Sequence, residues 1–390
     1  MKNKNLRTAS VCVHTGAIKD TEFGGVNSPV YTSAAFDYRK DGVVYPRYYN
    51  TPNQVAIAEK IAALEHGEAA LVFSSGMAAI FSATMAVVKS GDHIIFPSDL
   101  YGGTHYMAVY ELPNFGIECS FVDASNMANI EAAIRPNTKA IYLETPSNPT
   151  LRITDIEAVG KLAKAKGITT LIDNTFASPI NQNPIDFNID IVLHSGTKYL
   201  SGHSDIIFGA AVSTEEWIKK IHGKSVIYGG NLNGSTCGLI ERSLKTLAIR
   251  VKQQNENALD LAHFLNDLPM VRKVNYPGLP SHDGYEIAKR IMHDFGGMLS
   301  FELRINHVSD IDLMVNSLKM IAPAGSLGGV ESLITSPFLT SHAKIPQAER
   351  LEMGVGDDLL RLSVGIEAVE DLKADLLYAI EKVETHSLIA

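Results

Sequence analysis

HSGTKYLSGHSD, residues 194–205, sets one basic side chain, Lys198, among glycines and small hydroxyl residues directly after the apolar run DIVL. Most lysines are solvated surface groups. An amine in a partly desolvated pocket can instead serve as a nucleophile and a base. Ser195 and Thr197 flank Gly196 and offer hydroxyls that suit a phosphate. Upstream, the run TTLI ends in Asp173, which can cap a helix or pair with a protonated ring nitrogen. After AALVF comes SSGM, residues 74–77, ahead of a helical stretch. There the helix dipole and free backbone N–H groups favour an anion. An anion turn, an acid for a pyridinium and a lysine for a Schiff base together describe pyridoxal phosphate binding.

Other chemistries fit less well. No HExxH or CxxC spacing accompanies the 13 histidines, so no metal site is expected. His203, Ser204 and Asp205 have triad residue types but no GxSxG elbow, and no GxGxxG or GxxxxGK[ST] follows the first strand-like run.

Apolar runs and helical stretches must position these groups. AALVF, HIIF, IECSFV, KAIYLE, TTLID, DIVLH and DIIFGAAV read as strands, with GMAAIFSATMAVV and DIEAVGKLAKAKG as helices among them. Apolar strands alternating with helices predict a mostly parallel sheet covered on both faces, with the ligand beyond the strands' carboxyl ends. QVAIAEKIAALEHG predicts a helix closed by Gly67. After residue 250 or so, NENALDLAHFLNDL and DLKADLLYAIEKV read as helices, and MLSFEL and LLRLSVGI as strands. The expected organisation is an extended arm at 1–55, an α/β cofactor domain at 56–248 and a smaller α+β domain at 249–390.

The chain of 390 residues is 45% hydrophobic, enough for one large core or two ordinary ones. A net charge of −9 argues against nucleic acid and anionic membranes as partners. No apolar run reaches membrane-span length. The N-terminal residues lack the apolar stretch of a signal peptide. Cys12, Cys119 and Cys237 are few and widely spaced, which suits reduced thiols and predicts a cytoplasmic protein.

The ordered motifs YPR, FSSGMAA, DLYGGT, ETPSNP, DNTFASP, HSGTKYLSGHSD, SLGGVESL and RLSVGIE resemble the Cys/Met-metabolism enzymes that use pyridoxal phosphate. These include cystathionine γ-synthases, cystathionine β- and γ-lyases and methionine γ-lyase. The resemblance runs from PVYTSAAF to the final helix. It implies fold type I (aspartate-aminotransferase-like), with a mostly parallel seven-stranded sheet and a smaller C-terminal domain.

By the same resemblance, Lys198 would hold the cofactor as a Schiff base and carry the substrate Cα proton, and Asp173 would keep the ring nitrogen protonated. Gly76 and Met77 would offer N–H groups to the phosphate, aided by the Ser195 and Thr197 hydroxyls. Tyr101 would be catalytic as well, stacking on the ring and helping to deprotonate the substrate amine. Tyr45 and Arg47 would reach a neighbouring subunit's phosphate, with Tyr45 also facing substrate; this implies a dimer, in a family that commonly forms a homotetramer of two such dimers. Arg361 would grip the substrate carboxylate, helped by Asn148 and Ser326. Arg361 also stands out without the family, as an arginine in an otherwise apolar strand.

There are departures from the family pattern. YYNTPN carries an extra residue between Asn50 and Pro52, Ser243 stands where glycine is usual, and NLNGSTCG lacks the usual proline. Gly325 matches neither the glutamate common in γ-enzymes nor the apolar residue common in β-lyases. Gly103 stands where methionine γ-lyases usually have cysteine. The implied activity is cleavage of the C–S bond of cystathionine or a related sulfur amino acid. A γ-synthase joining cysteine to an activated homoserine is the alternative. More distant rivals are an aminotransferase of the same fold and a cofactor-binding protein without catalysis.

Overall fold

In a computed structural model of the chain, residues 6–305, 307–340, 343 and 347–387 are described. The seven expected strands all form: β1 (Ala69–Phe73), β2 (His93–Pro97), β3 (Glu118–Val122), β4 (Thr138–Glu144), β5 (Thr169–Asp173), β6 (Ile191–Ser195) and β7 (Gly209–Ser213). They make one sheet in the order β1-β7-β6-β5-β4-β2-β3. Only β7 runs against both of its neighbours. The carboxyl ends of β4, β5 and β6 therefore lie side by side, which is where Glu144, Asp173 and Ser195 stand.

Helices cover both faces. Gly76–Val87 packs through Ala79, Ile80 and Ala83 on one side. Ile156–Lys166 packs through Ile156, Val159 and Ala163 on the other. Its ends follow from sequence: the Asp155 carboxylate accepts the Ala158 N–H, and Gly167 takes the left-handed conformation that stops it.

The second sheet has the order β10-β11-β12-β9-β8, from β8 (Val271–Asn275), β9 (Met298–Leu303), β10 (Ala322–Pro323), β11 (Leu333–Thr335) and β12 (Leu359–Ser363). The closing helix, Val369–Ser387, buries Leu372, Leu376, Ala379, Ile380 and Val383 in this domain's core. One helix, Leu247–Asn266, serves both domains. Leu247 and Val251 enter the first core, while Ala258, Leu261 and Leu265 enter the second.

Four local expectations are corrected. DIIFGAAV is a strand only from Gly209, because the Phe208 backbone is held by Thr197: the Thr197 hydroxyl accepts the Phe208 N–H at 3.1 Å and the Thr197 N–H donates to Phe208 O. The helix expected from QVAIAEK begins earlier, at Pro52, where Thr51 and Gln54 form a capping box. Its left-handed terminal residue is His66 (φ 60°) rather than Gly67, which is small because a Cβ there would meet Val212 at 2.3 Å. β3 is an edge strand with Glu118 and Phe121 exposed, so it is not apolar on both faces. Finally, the arm contains a short helix, Thr8–His14, anchored by buried Val11 and Cys12.

Candidate active site

The crevice lies where the ends of β1, β5 and β6 meet the loop at 325–330. At the start of the 76–87 helix, Ser75 caps with its hydroxyl, accepting the Ala78 N–H at 3.1 Å. The N–H groups of Gly76 and Met77 have no hydrogen-bond partner among the described residues. Gly76 is packed on the end of β6; a Cβ there would lie 2.9 Å from that of Ser195. A glycine thus brings the open helix end against the Ser195 side chain, and the pair forms an anion cradle. The Thr197 hydroxyl stands beside it, but it is occupied by the Phe208 backbone.

At the end of β5, Asp173 Oδ1 accepts both the N–H and the hydroxyl of Thr175. Thr175 Oγ1 in turn accepts the Ser195 N–H at 2.8 Å. This threonine locks the carboxylate in place and joins β5 to β6; the D-x-T spacing was the sequence signal for it. Burial pushes the Asp173 pKa up, against the pull of the Thr175 hydrogen bonds, His194 and Lys198. The other carboxylate oxygen has no partner among the described residues and is available to a ring N–H. Beneath, His194 and the buried Glu65 approach to 2.6 Å, and Asn174 donates to the same Glu65 oxygen at 2.8 Å.

Lys198 Nζ donates to Ser326 Oγ at 2.7 Å. Burial lowers its pKa to about 8, with the Arg361 guanidinium adding to the effect and Asp173 opposing it. An amine so tuned is still mostly protonated at neutral pH, but it supplies far more of the neutral form than an ordinary lysine, as a nucleophile requires. Ser326 has φ 100°, a conformation costly for a residue with a Cβ, on the order of 1–3 kcal/mol. That geometry lets it serve two partners, because its carbonyl also accepts from Arg361 Nη2 at 3.0 Å. Next to it, Gly328 (φ 73°) lets the loop press on Lys198 and Tyr199; a Cβ there would sit 2.7 Å from the Tyr199 N.

Arg361 lies on β12, between Thr335 and Ser300 of the flanking strands, with its side chain almost wholly buried. Its Nη1 donates to Asn148 Oδ1 at 2.7 Å, while its buried Nε has no partner among the described residues. Burial lowers its pKa to about 10, so it remains a cation at neutral pH. A buried cation with an open donor suits a carboxylate.

Tyr101 is half exposed, and its N–H donates to Glu144 Oε2 at 2.9 Å. A Cβ on Gly103 would meet the Tyr101 ring at 2.6 Å and Met77 Sδ at 3.0 Å, so the ring reaches over the start of the 76–87 helix.

Ten of the residues singled out from sequence thus gather at or beside one crevice: Gly76, Met77, Tyr101, Asn148, Asp173, Ser195, Thr197, Lys198, Ser326 and Arg361. Two do not join them within the chain. Tyr45 and Arg47 are exposed, and the Arg47 guanidinium lies over the Tyr45 and Tyr48 rings and donates to Val226 O at 2.7 Å. Sequence reasoning missed Glu144, Thr175 and the Glu65–His194 pair. The groups present fit pyridoxal phosphate: an open helix end with a hydroxyl for phosphate, a carboxylate oxygen to accept from a protonated ring nitrogen, and an amine for an aldehyde. Among the described residues no cluster could hold a metal ion.

Residues 9–381 match the family model described as Cys/Met metabolism PLP-dependent enzyme. The chain is 42% identical over 383 residues to a cystathionine γ-lyase of Bacillus subtilis (strain 168), spanning 97% of this chain and 100% of that one. It is 44% identical over 377 residues to a cystathionine β-lyase of Lactococcus lactis subsp. cremoris (strain MG1363), spanning 95% and 98% respectively. Among solved structures, a cystathionine γ-lyase from Lactobacillus plantarum complexed with L-serine superposes with a TM-score of 0.92 at 41% identity, covering 97% of this chain and 100% of the other.

Proposed function

Because the chain belongs to the Cys/Met-metabolism family of pyridoxal-phosphate-dependent enzymes, we propose that it is a carbon–sulfur lyase acting on cystathionine or a related sulfur amino acid. One observation carries the reading: Lys198, with its lowered pKa, and Arg361, with its open donor, are joined through the single residue Ser326. A nucleophilic amine and a carboxylate grip that share one residue suit an α-amino acid. Bound pyridoxal phosphate supplies an electron sink that makes the substrate Cα–H acidic.

Arg361 and Asn148 hold the substrate carboxylate, which fixes the direction in which Cα–H points. The Lys198 amine would hold the cofactor aldehyde, and the same amine, free of it, would be the base for the substrate Cα proton. Asp173, whose charge the Thr175 hydrogen bonds favour against burial, would face a ring nitrogen and keep a proton on it. Tyr101 would cover the ring face, and Gly76, Met77 and Ser195 would hold the phosphate. For β-elimination the thiol then leaves. For γ-elimination Lys198 would have to give up that first proton before it could take a second, from Cβ, ahead of the departure of the γ-substituent.

Gly325 is exposed, and a Cβ there would meet nothing within 4 Å, so no side chain at this position closes the space beside Ser326 to the distal arm of a substrate. Tyr45 and Arg47, solvent-facing in their own chain, are read as reaching the phosphate of a second subunit, within a dimer of dimers.

Incubating the holoenzyme with L,L-cystathionine tests the reading by the keto acid and thiol released. Pyruvate with homocysteine identifies β-elimination, and 2-oxobutyrate with cysteine identifies γ-elimination. Neither product, together with cystathionine formed from an acylated homoserine and cysteine, would replace the lyase with a γ-synthase.

A further inference from the structure

We propose that Glu144 is a positioning residue for this reaction: its carboxyl, at the end of β4, fixes the loop bearing Tyr101 and the loop bearing Asn148 beside Asp173. The inference rests on the site assigned above. Glu144 is buried, and its Oε2 accepts the Tyr101 N–H at 2.9 Å. The same carboxyl faces the backbone N–H of Asn148, whose side chain holds Arg361. In the parallel β4–β5 register Glu144 pairs with Asp173, so the two carboxyls lie on one face of the sheet. A second bond ties the same two loops, from the Ser147 hydroxyl to Asp99. The group over the ring and the group gripping the carboxylate are therefore referenced to one side chain.

Charge decides which of the paired carboxyls holds a proton. Burial raises both, and Glu144 is raised further by Asp173 and Asp99, against the pull of the Tyr101 and Asn148 N–H groups. Asp173 is pulled back by Thr175, His194 and Lys198. The proton thus belongs on Glu144 and the negative charge on Asp173, where a ring N–H needs it. A neutral carboxyl still offers the acceptor oxygen that Tyr101 uses.

The test compares two variants of the holoenzyme. Glu144→Met fills the volume without an acceptor of comparable strength, and Glu144→Gln keeps a neutral acceptor. The readouts are kcat and KM for cystathionine, the visible circular dichroism of the bound cofactor, and the affinity of the apo-protein for pyridoxal phosphate. E144M is expected to lose at least roughly tenfold in kcat/KM, as displacement of an orienting group does, and to change the visible dichroism. E144Q is expected to restore both to within about fivefold of the parent, since amide and protonated carboxyl are alike as acceptors. Parental dichroism and kcat/KM in E144M would overturn the proposal, as would a folded E144Q as impaired as E144M. Should E144M fail to fold, E144Q decides alone. An unmoved pH profile supports the assignment, and a profile displaced by a full unit shows that a Glu144 charge matters and overturns it. Lys198 is intact in both variants, so failure here is distinct from failure of the active-site assignment, which Lys198→Ala reads.

Discussion

Two lysines of this protein share one electrostatic fate and differ in everything else. Burial pulls both Lys198 and Lys60 down to about pKa 8. Lys60, on the Pro52–Leu64 helix, is wholly enclosed, and its Nζ donates to the Cys12 carbonyl at 2.8 Å. Glu241 supports its charge from one side, while Lys245 opposes it. It fastens the first helix of the arm to the core. Lys198 is only partly enclosed, its partner is a hydroxyl, and an arginine with an open donor stands behind that hydroxyl. Desolvation alone makes an amine easier to deprotonate. An opening, and neighbours that can hold a substrate, make it reactive.

Substitutions that break the comparison differ in size. Lys198→Ala should remove the largest effect: turnover falls by roughly 10^4-fold or more, since nucleophile and proton carrier go together. The melting curve should stay that of a folded protein. An active K198A enzyme would sink the site. Arg361→Ala comes next, costing about 2–5 kcal/mol of substrate capture, or roughly 30-fold to several thousandfold in kcat/KM. Steady-state kinetics that stayed at the parental kcat/KM would place Arg361 outside the site.

Lys60→Met should barely touch activity and should act on stability alone. A lysine whose folded pKa is about 8 against an ordinary 10.5 penalises the folded state fully below pH 8. The penalty fades as pH rises from about 8 to 10.5, because in that window the unfolded chain holds the proton and the folded chain does not. The parent should therefore gain stability over K60M across that window. Denaturant melts at pH 7 and at pH 10 read this. Curves that stay parallel would show that Lys60 does not titrate as a buried amine.

Much of the site was legible because it is local. A small-residue turn after an apolar run, or an acid at the end of one, sits within a few residues of the strand that positions it, as at SSGM, Asp173 and HSGTK. The unreadable parts were contacts across sequence. Glu144 looked like the polar end of a strand until its oxygen met the Tyr101 N–H, 43 residues earlier. The Glu65–His194 pair spans 129 residues. The start of β7 was misjudged because the Phe208 backbone, inside the expected span, bonds to Thr197 rather than to a neighbouring strand.

The sequence by itself determined the seven apolar runs, their mostly parallel arrangement and the order in which the chemical groups meet the strand ends, because side-chain periodicity and turn chemistry are properties of short segments. Only the tertiary structure decided that Ser326, 128 residues from Lys198, would be its hydroxyl partner, and that Arg361 would meet Asn148 across 213 residues. Those contacts depend on how two domains close on each other through one shared helix, and no local pattern encodes the distance between atoms that only folding brings together.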